Sequence, residues 1–248
     1  MKLPVLTLIA AASLCFVAPV QASPSSGDGW DWLIAPYGWA ASVSTDVRTS
    51  APPSESSVDT SFADLVEDID GAFMVRAEGQ GDKFGFLVDF TYLGLADAND
   101  RQGFHSETDF DTRLIDAAMV WSPDPDKFNG LETFAGVRVL DADFTTNLTP
   151  NDPAYPTVIL DADDTMTDFL LGIRYTTHFS DKWGMTVHGD GSWGDTDGTW
   201  NTSIFAQYRM THGTWAFGYR YMDLGFAPGT DKISVQMHGP LIGYAFRF

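Results

Sequence analysis

Residues 84–92 read FGFLVDFTY, and the way that stretch alternates decides the fold. Phe84, Phe86, Val88, Phe90 and Tyr92 take one set of positions, and Gly85, Leu87, Asp89 and Thr91 take the other. A period of two belongs to a β-strand, whose successive side chains point to opposite faces. The same period recurs outward from it. Leu33, Ala35, Tyr37, Trp39 and Ala41 alternate with Ile34, Pro36, Gly38 and Ala40; Phe169, Leu171, Ile173 and Tyr175 alternate with Asp168, Leu170, Gly172 and Arg174. Trp215, Phe217, Tyr219 and Tyr221 alternate with Ala216, Gly218, Arg220 and Met222. One face is apolar and aromatic, and the other is small, polar or charged.

A soluble β-sandwich also alternates. Two features point instead to a single antiparallel transmembrane β-barrel. The charges opposite the aromatic face lie in mid-strand, where a barrel would turn them toward its lumen. The connections also alternate in length. About ten strands are expected, near 32–47, 71–79, 84–95, 108–121, 131–145, 165–179, 183–194, 199–211, 214–226 and 233–248, with eight strands as the alternative. The links at 80–83, 122–130, 180–182 and 212–213 are mostly tight, and those at 48–70, 96–107 and 146–164 are long and acidic. Outer-membrane barrels show this asymmetry of short periplasmic turns and long outer loops. Trp32, Phe84, Trp121, Trp183, Trp215 and Phe248 fall beside the short turns. Tyr92, Phe110, Phe144, Trp193 and Trp200 fall near the opposite ends, giving two aromatic belts.

Composition agrees. The chain has 248 residues, 34 Asp+Glu against 14 Lys+Arg, a net charge of −20 and 14% aromatics. So acidic a surface repels a nucleic-acid backbone, and so aromatic a chain is not a disordered acidic tail. Residues 1–22, MKLPVLTLIAAASLCFVAPVQA, combine Lys2, an apolar stretch from Leu3 to Val17 and small residues near Ala22. They read as a signal peptide cleaved after Ala22, leaving residues 23–248 as the barrel. The one cysteine, Cys15, lies in that leader, so no disulfide or thiol chemistry is expected of the mature chain.

The chain closes on Leu241-Ile242-Gly243-Tyr244-Ala245-Phe246-Arg247-Phe248, with Ile242, Tyr244, Phe246 and Phe248 on one face. This end resembles the terminal strand of Gram-negative outer-membrane β-barrel proteins, where a final aromatic preceded by alternating apolar residues is the assembly signal. The opening WLIAPYGW and closing GPLIGYAFRF are similar to small barrels described only as outer membrane protein. The resemblance implies the bacterial outer membrane as location and the barrel-assembly machinery as a partner during biogenesis. It implies no activity.

The strand parity places Arg76, Asp89, Asp116, Arg138, Asp168, Arg174, His188, Asp190, Arg209 and Arg220 on the lumen side. Of these, Arg76, Asp89, Asp116, Arg138, Asp168, Arg174, Asp190 and Arg220 are the expected lumen charge network, since a confined charge needs a partner. Arg138 is expected beside Asp116 and near Asp168 or Arg174. Gly-x-Arg recurs at Gly136-Val137-Arg138, Gly172-Ile173-Arg174 and Gly218-Tyr219-Arg220. Such a lumen reads as closed by side chains, and a narrow passive porin is the alternative. In the first outer loop, Phe62, Leu65, Val66 and Ile69 at helical spacing behind Ser61 predict a short helix at 61–69. The clusters Asp59, Asp64, Glu67, Asp68, Asp70, then Asp152, Asp161, Asp163, Asp164, then Asp195 and Asp197 read as a hydrated acidic surface. Divalent cations bridging it to lipopolysaccharide are possible partners, without a dedicated metal site or any cofactor. A lipid or peptide hydrolase is the third reading. Its candidates are His105, Ser106, Glu107, Asp109 and Asp111, but neighbours on an extended chain point apart, and no G-x-S-x-G occurs. His178 and His212 fall at the short-turn end. A monomeric, non-enzymatic barrel with a structural or surface-interaction role is therefore expected.

Overall fold

The computed structural model describes residues 29–50, 53–101, 103–124, 126–152, 154–227 and 231–248. The expected leader, residues 1–22, lies outside the described residues. The fold is a closed antiparallel barrel of ten strands with two extra strands at its outer end. Chain order gives β1 Asp31–Trp39, β2 Ser42–Ser50, β3 Pro53–Thr60, helix α1 Phe62–Asp68, β4 Ile69–Gln80, β5 Phe84–Arg101 and β6 Phe104–Trp121. Then follow β7 Gly130–Pro150, β8 Val158–His178, β9 Trp183–Gly194, β10 Thr199–Met210, β11 Gly213–Phe226 and β12 Lys232–Arg247. The barrel runs from β1 through β4 to β12 by nearest-neighbour antiparallel pairing, and β12 returns to β1. Trp32 and Phe248 exchange backbone bonds of 2.8 and 3.1 Å at that seam, so the ring closes through the final residue.

The strand expected over 32–47 is split into β1 and β2. Both pair with β12, β1 along Leu241–Arg247 and β2 along Lys232–His238. The break at Ala40–Ala41 sits over Gly239-Pro240. Pro240 has no N–H to give, and its carbonyl accepts from Ala40 N at 2.9 Å. A Cβ on Gly239 would stand 1.9 Å from the Ala40 carbonyl oxygen, so only glycine lets the bent strand approach. In β1 the aromatic residues Tyr37 and Trp39 face inward, contrary to the expected pattern. Ile34 is exposed on the outer side while Trp39 is buried. Its indole N–H donates to the Gly239 carbonyl at 3.2 Å, and the Tyr37 hydroxyl donates to Asp89 at 2.7 Å. Both rings carry polar tips that find partners only inside.

The regions 96–107 and 146–164 are not loops for most of their length. They extend β5, β6, β7 and β8 into tall hairpins, in unbroken register from Phe84↔Trp121 to Arg101↔Phe104 and from Gly130↔Thr176 to Leu148↔Val158. Thr and β-branched residues such as Thr145, Thr146, Val158 and Ile159 favour strand there in spite of the acidic composition. Region 48–70 likewise holds β3, a hairpin return on β2, and then α1. The predicted helix is present and begins as expected. Ser61 is its N-cap, and its hydroxyl accepts from Asp64 N at 3.3 Å. None of its residues is buried.

Outward faces carry the apolar band: Phe86, Val88, Ile115, Val137, Phe169, Leu171, Ile173, Phe217, Tyr219 and Ile242 are all exposed. Trp32, Phe84, Trp121, Trp183, Trp215 and Phe248 ring its short-turn end, and Trp193 and Trp200 stand outward at the other. Phe110 and Phe144, expected in that second belt, are paired with each other on the inner face. Each lies six residues from a lumen charge, Asp116 and Arg138, so the same parity carries them inward. No helix among the described residues is long and apolar enough to cross a membrane.

Candidate functional site

The inner face forms tiers of side chains from the short-turn end upward. At the bottom the 122–129 turn folds under the barrel. Phe128, with φ 56°, donates its N–H to the Gln80 side chain, whose amide donates in turn to Glu132. Glu132, fully buried, accepts from Arg174 Nε at 2.7 Å. The other edge of the Arg174 guanidinium grips Glu78 by a two-pronged contact of 2.6 and 2.7 Å. Glu78 also accepts from Arg76 Nε, and Arg76 lies 3.4 Å from Asp89. Strands β4 and β8 are four places apart in the ring of ten, so the Arg174–Glu78 contact crosses the lumen.

The second tier centres on Arg138, 1% exposed. Asp116 takes its Nε and Nη2 at 2.7 Å each, Asp190 accepts from Nη2 at 2.9 Å, and Thr199 accepts from Nη1 at 2.7 Å. Asp190 is further held by Asn201 at 2.6 Å and His188 at 2.7 Å, and His188 stacks on Phe134. Arg220 continues the circuit. It donates to Asn201 at 2.9 Å, lies 4.7 Å from the centroid of Trp39, and reaches Tyr37, which joins Asp89. Planar guanidinium groups suit such paired and stacked contacts better than ammonium would. Above them Trp39, Met74, Met222 and Leu224 form a buried apolar cluster, and Leu87, Ala118, Val120, Phe134 and Leu170 form a second along the β5–β8 wall.

Apart from Asp190, the expected network residues divide between two cross-strand rows. Cross-strand register strings Arg76, Asp89, Asp116, Arg138 and Asp168 into one row, whereas Glu132, Arg174, His188, Ser203 and Arg220 make another. Strand tilt carries each row obliquely round the barrel. Asp168 stands directly opposite Arg138 in register, yet its carboxylate is taken by Ser192 at 2.7 Å and by Thr196. Glu78 and Glu132 were missed at the sequence level although they share parity with Arg76 and Arg138. Both lie at strand positions near the short turns, where an acidic residue reads as a surface group. The Gly-x-Arg repeat acquires a reason at Gly172, where a Cβ would fall 2.1 Å from the Phe134 ring. At Gly136 and Gly218 a Cβ would instead meet the adjacent strand, 2.0 Å from the Ala117 carbonyl oxygen and 2.2 Å from that of Ile204.

The hydrolase candidates are dispersed. His105, at the tip of the β5–β6 hairpin, contacts Asp100 at 2.7 Å and Glu107 at 3.4 Å, and these two carboxylates raise its pKa. Ser106 takes the opposite face of β6. Asp111 is engaged by the Tyr92 hydroxyl at 2.7 Å. His178 lies at the short-turn rim, where Arg209 Nη2 is 3.0 Å from its Nε2. Among the described residues no three His, Cys, Asp or Glu side chains converge as a metal site.

No protein-family model matches the sequence, and no curated protein does. Solved structures give distant likenesses. Ail, the attachment invasion locus protein of Yersinia pestis, is 8% identical over 90% of this chain and 100% of its own, with a TM-score of 0.40. The outer membrane protease OmpT from Escherichia coli is 6% identical over 89% of this chain and 97% of its own, with a TM-score of 0.43. Neisserial surface protein A is 14% identical over 89% of this chain and 99% of its own, with a TM-score of 0.31. These proteins differ among themselves in what they do, and identities and TM-scores this low assign no activity.

Proposed function

We propose that the chain is an integral outer-membrane barrel of the bacterial surface, closed to passage and acting through its tall acidic hairpins. The observation that carries this reading is the lumen crossing: Arg174 ties β8 to β4, and Arg138 ties β7 to β9 and β10, beneath an apolar cluster around Trp39 and Met222. Moving an ion through these tiers would separate buried pairs, at about 3–5 kcal/mol for each one broken. Beyond the apolar band, β5–β8 continue as hairpins rich in aspartate, and the acid rows Asp111, Asp143 and Asp163 lie in register across three strands. Like charges directly opposite are unfavourable in a sheet, so this surface gains from divalent cations bridging it to lipopolysaccharide. Assembly would use the terminal Phe248 and its alternating apolar partners. The protein acts as a monomer and is not a hydrolase: Ser106, next to His105 in sequence, takes the opposite face of β6 from the contacts of His105 with Asp100 and Glu107.

Planar lipid bilayers test the closed lumen. The refolded protein should give no stable ohmic steps; regular steps would replace this reading with a narrow porin. Release of labelled acyl chains or peptide by the same preparation would replace it with a hydrolase.

A further inference from the structure

The two tiers do not fill the lumen completely. A cavity of about 180 Å³ extends from Tyr37, Asp116 and Asp190 in mid-barrel to His178, Arg209 and Arg247 at the short-turn rim. Neither Trp39 nor Met222 lines it, so it forms a vestibule on the short-turn side of their cluster. The walls are largely apolar, with Leu33, Leu87, Phe134, Leu170, Phe205 and Leu241 among the lining residues.

The rim carries a different chemistry. Arg247 lies over the Phe128 ring, 4.9 Å from its centroid, and donates to the Lys127 carbonyl at 3.4 Å. Arg209 has His178 as its side-chain partner, and since an arginine only donates, His178 Nε2 must accept. The Nδ1–H of a neutral His178 then donates to Asn129 Oδ1 at 3.0 Å. Neither arginine forms an ion pair with a carboxylate among the described residues. Asp31, on the same rim, is held by Lys127 at 3.5 Å. Two arginines without an ion-pair partner among the described residues therefore stand at the mouth of a pocket whose wall combines apolar side chains with the charged tiers, Glu78, Asp89, Asp116 and Asp190 among them. The pocket also contains an unmet donor: Arg76, which lines the cavity, has its Nη2 buried without a hydrogen-bond partner. Buried guanidinium nitrogens are costly to leave unpaired, and such an exception marks a place for an acceptor.

We propose that this vestibule binds a small organic carboxylate from the periplasmic side, its anionic head between Arg209 and Arg247 and its apolar body along Leu87, Phe134 and Leu170. The volume fits one ring or a short chain, since a dry apolar cavity of about 150 Å³ accepts benzene. A second oxygen at the buried end of the ligand would take the free Arg76 N–H. The site is independent of the outer hairpins, and its test is independent of conductance.

Isothermal titration of the detergent-refolded barrel with benzoate, benzyl alcohol and inorganic phosphate tests the assignment. Benzoate should bind more tightly than either of the others, because only it satisfies both rim and wall. Charge-assisted hydrogen bonds set the scale, so Arg209→Gln/Arg247→Gln should weaken benzoate about tenfold or more and leave benzyl alcohol nearly unchanged. Ala216→Trp, which fills the cavity and removes no charge, should abolish benzoate binding. Arg209→Gln alone, off the terminal strand, serves if the double variant fails to show the heat-modifiable gel mobility of a folded barrel. No benzoate binding by the folded wild type, phosphate binding as tight as benzoate, or unchanged benzoate affinity in the Arg209→Gln variant would each overturn the site.

Discussion

Arg138→Met is the perturbation that tests the lumen network most directly. The substitution keeps a long apolar stem and removes the group that Asp116, Asp190 and Thr199 share. Asp116, 8% exposed, has Arg138 as its side-chain partner and would be left as an unpaired buried carboxylate. Asp190 keeps His188 and Asn201. Removing one partner of a buried pair costs about 3–5 kcal/mol, and the loss here should reach the upper part of that range, about 4–5 kcal/mol. Asp116→Leu should cost less, about 3 kcal/mol, because Arg138 retains Asp190 and Thr199. The double variant removes the charge and its orphan together. It should cost about 4–5 kcal/mol rather than the 7–8 kcal/mol of simple addition, a coupling of about 3 kcal/mol, the upper end for residues in contact. Urea unfolding of the barrel in lipid vesicles, followed by tryptophan fluorescence, measures all three. Losses additive within about 0.5 kcal/mol would show that the pair is not coupled, and the closed-lumen reading would lose its main support.

Ile173, half exposed on the outer face, should lose about 2–4 kcal/mol on replacement by Arg if it meets the bilayer midplane; the same vesicle titration would refute a lipid-facing Ile173 by finding the change neutral. Deleting Phe248 removes the bond pair with Trp32 that closes the ring, and should lower the fraction inserted in the outer membrane; unchanged insertion and heat-modifiable mobility would contradict the terminal-strand reading. His105 should titrate above the ordinary histidine value because Asp100 and Glu107 favour its charged form. A raised folded pKa means that this stabilisation is fully present below the unfolded value and fades as pH rises through the folded one. An NMR titration placing His105 at or below the ordinary value would disprove the contacts at that hairpin tip.

Much of the barrel is written in a period of two. The ten strands and the helix behind Ser61 follow from parity, capping and turn spacing, since each depends on residues adjacent in sequence. What parity does not carry is where a strand bends. Trp39 turns inward and β1 breaks because Gly239, some two hundred residues later, leaves room for the Ala40 carbonyl. Acidic composition was equally misleading at 96–107 and 146–164. Solvated aspartates read as loop, but in a hairpin continued above the band both faces are wet, and Asp costs little where the register is already fixed by the strands below. In the lumen, parity finds Arg138 and Asp116 but not their third and fourth partners. Asp190 and Thr199 come from two and three strands away, a distance set by barrel radius rather than by any turn.

The distribution of charge follows from the same geometry. Inside, Glu78, Asp89, Asp116, Glu132, Asp168 and Asp190 face Arg76, Arg138, Arg174 and Arg220. At the short-turn end Asp31, Asp82, Asp124, Asp126 and Asp181 are matched by Lys83, Lys127 and Lys182 together with the rim arginines Arg209 and Arg247. Most of the excess behind the net charge of −20 therefore lies toward the opposite end, about half of it on the tall hairpins and the rest mainly on the β2–α1 region and the segments around Asp195 and Asp231. A low-dielectric lumen tolerates only paired charge, whereas a wet extension tolerates repulsion that counter-ions can screen. The acidity that first suggested loops is thus confined to the one region where unpaired carboxylates cost little. It is also the region where they remain free to attract cations, which is why the outer hairpins, and not the lumen, are where a cell-surface role belongs.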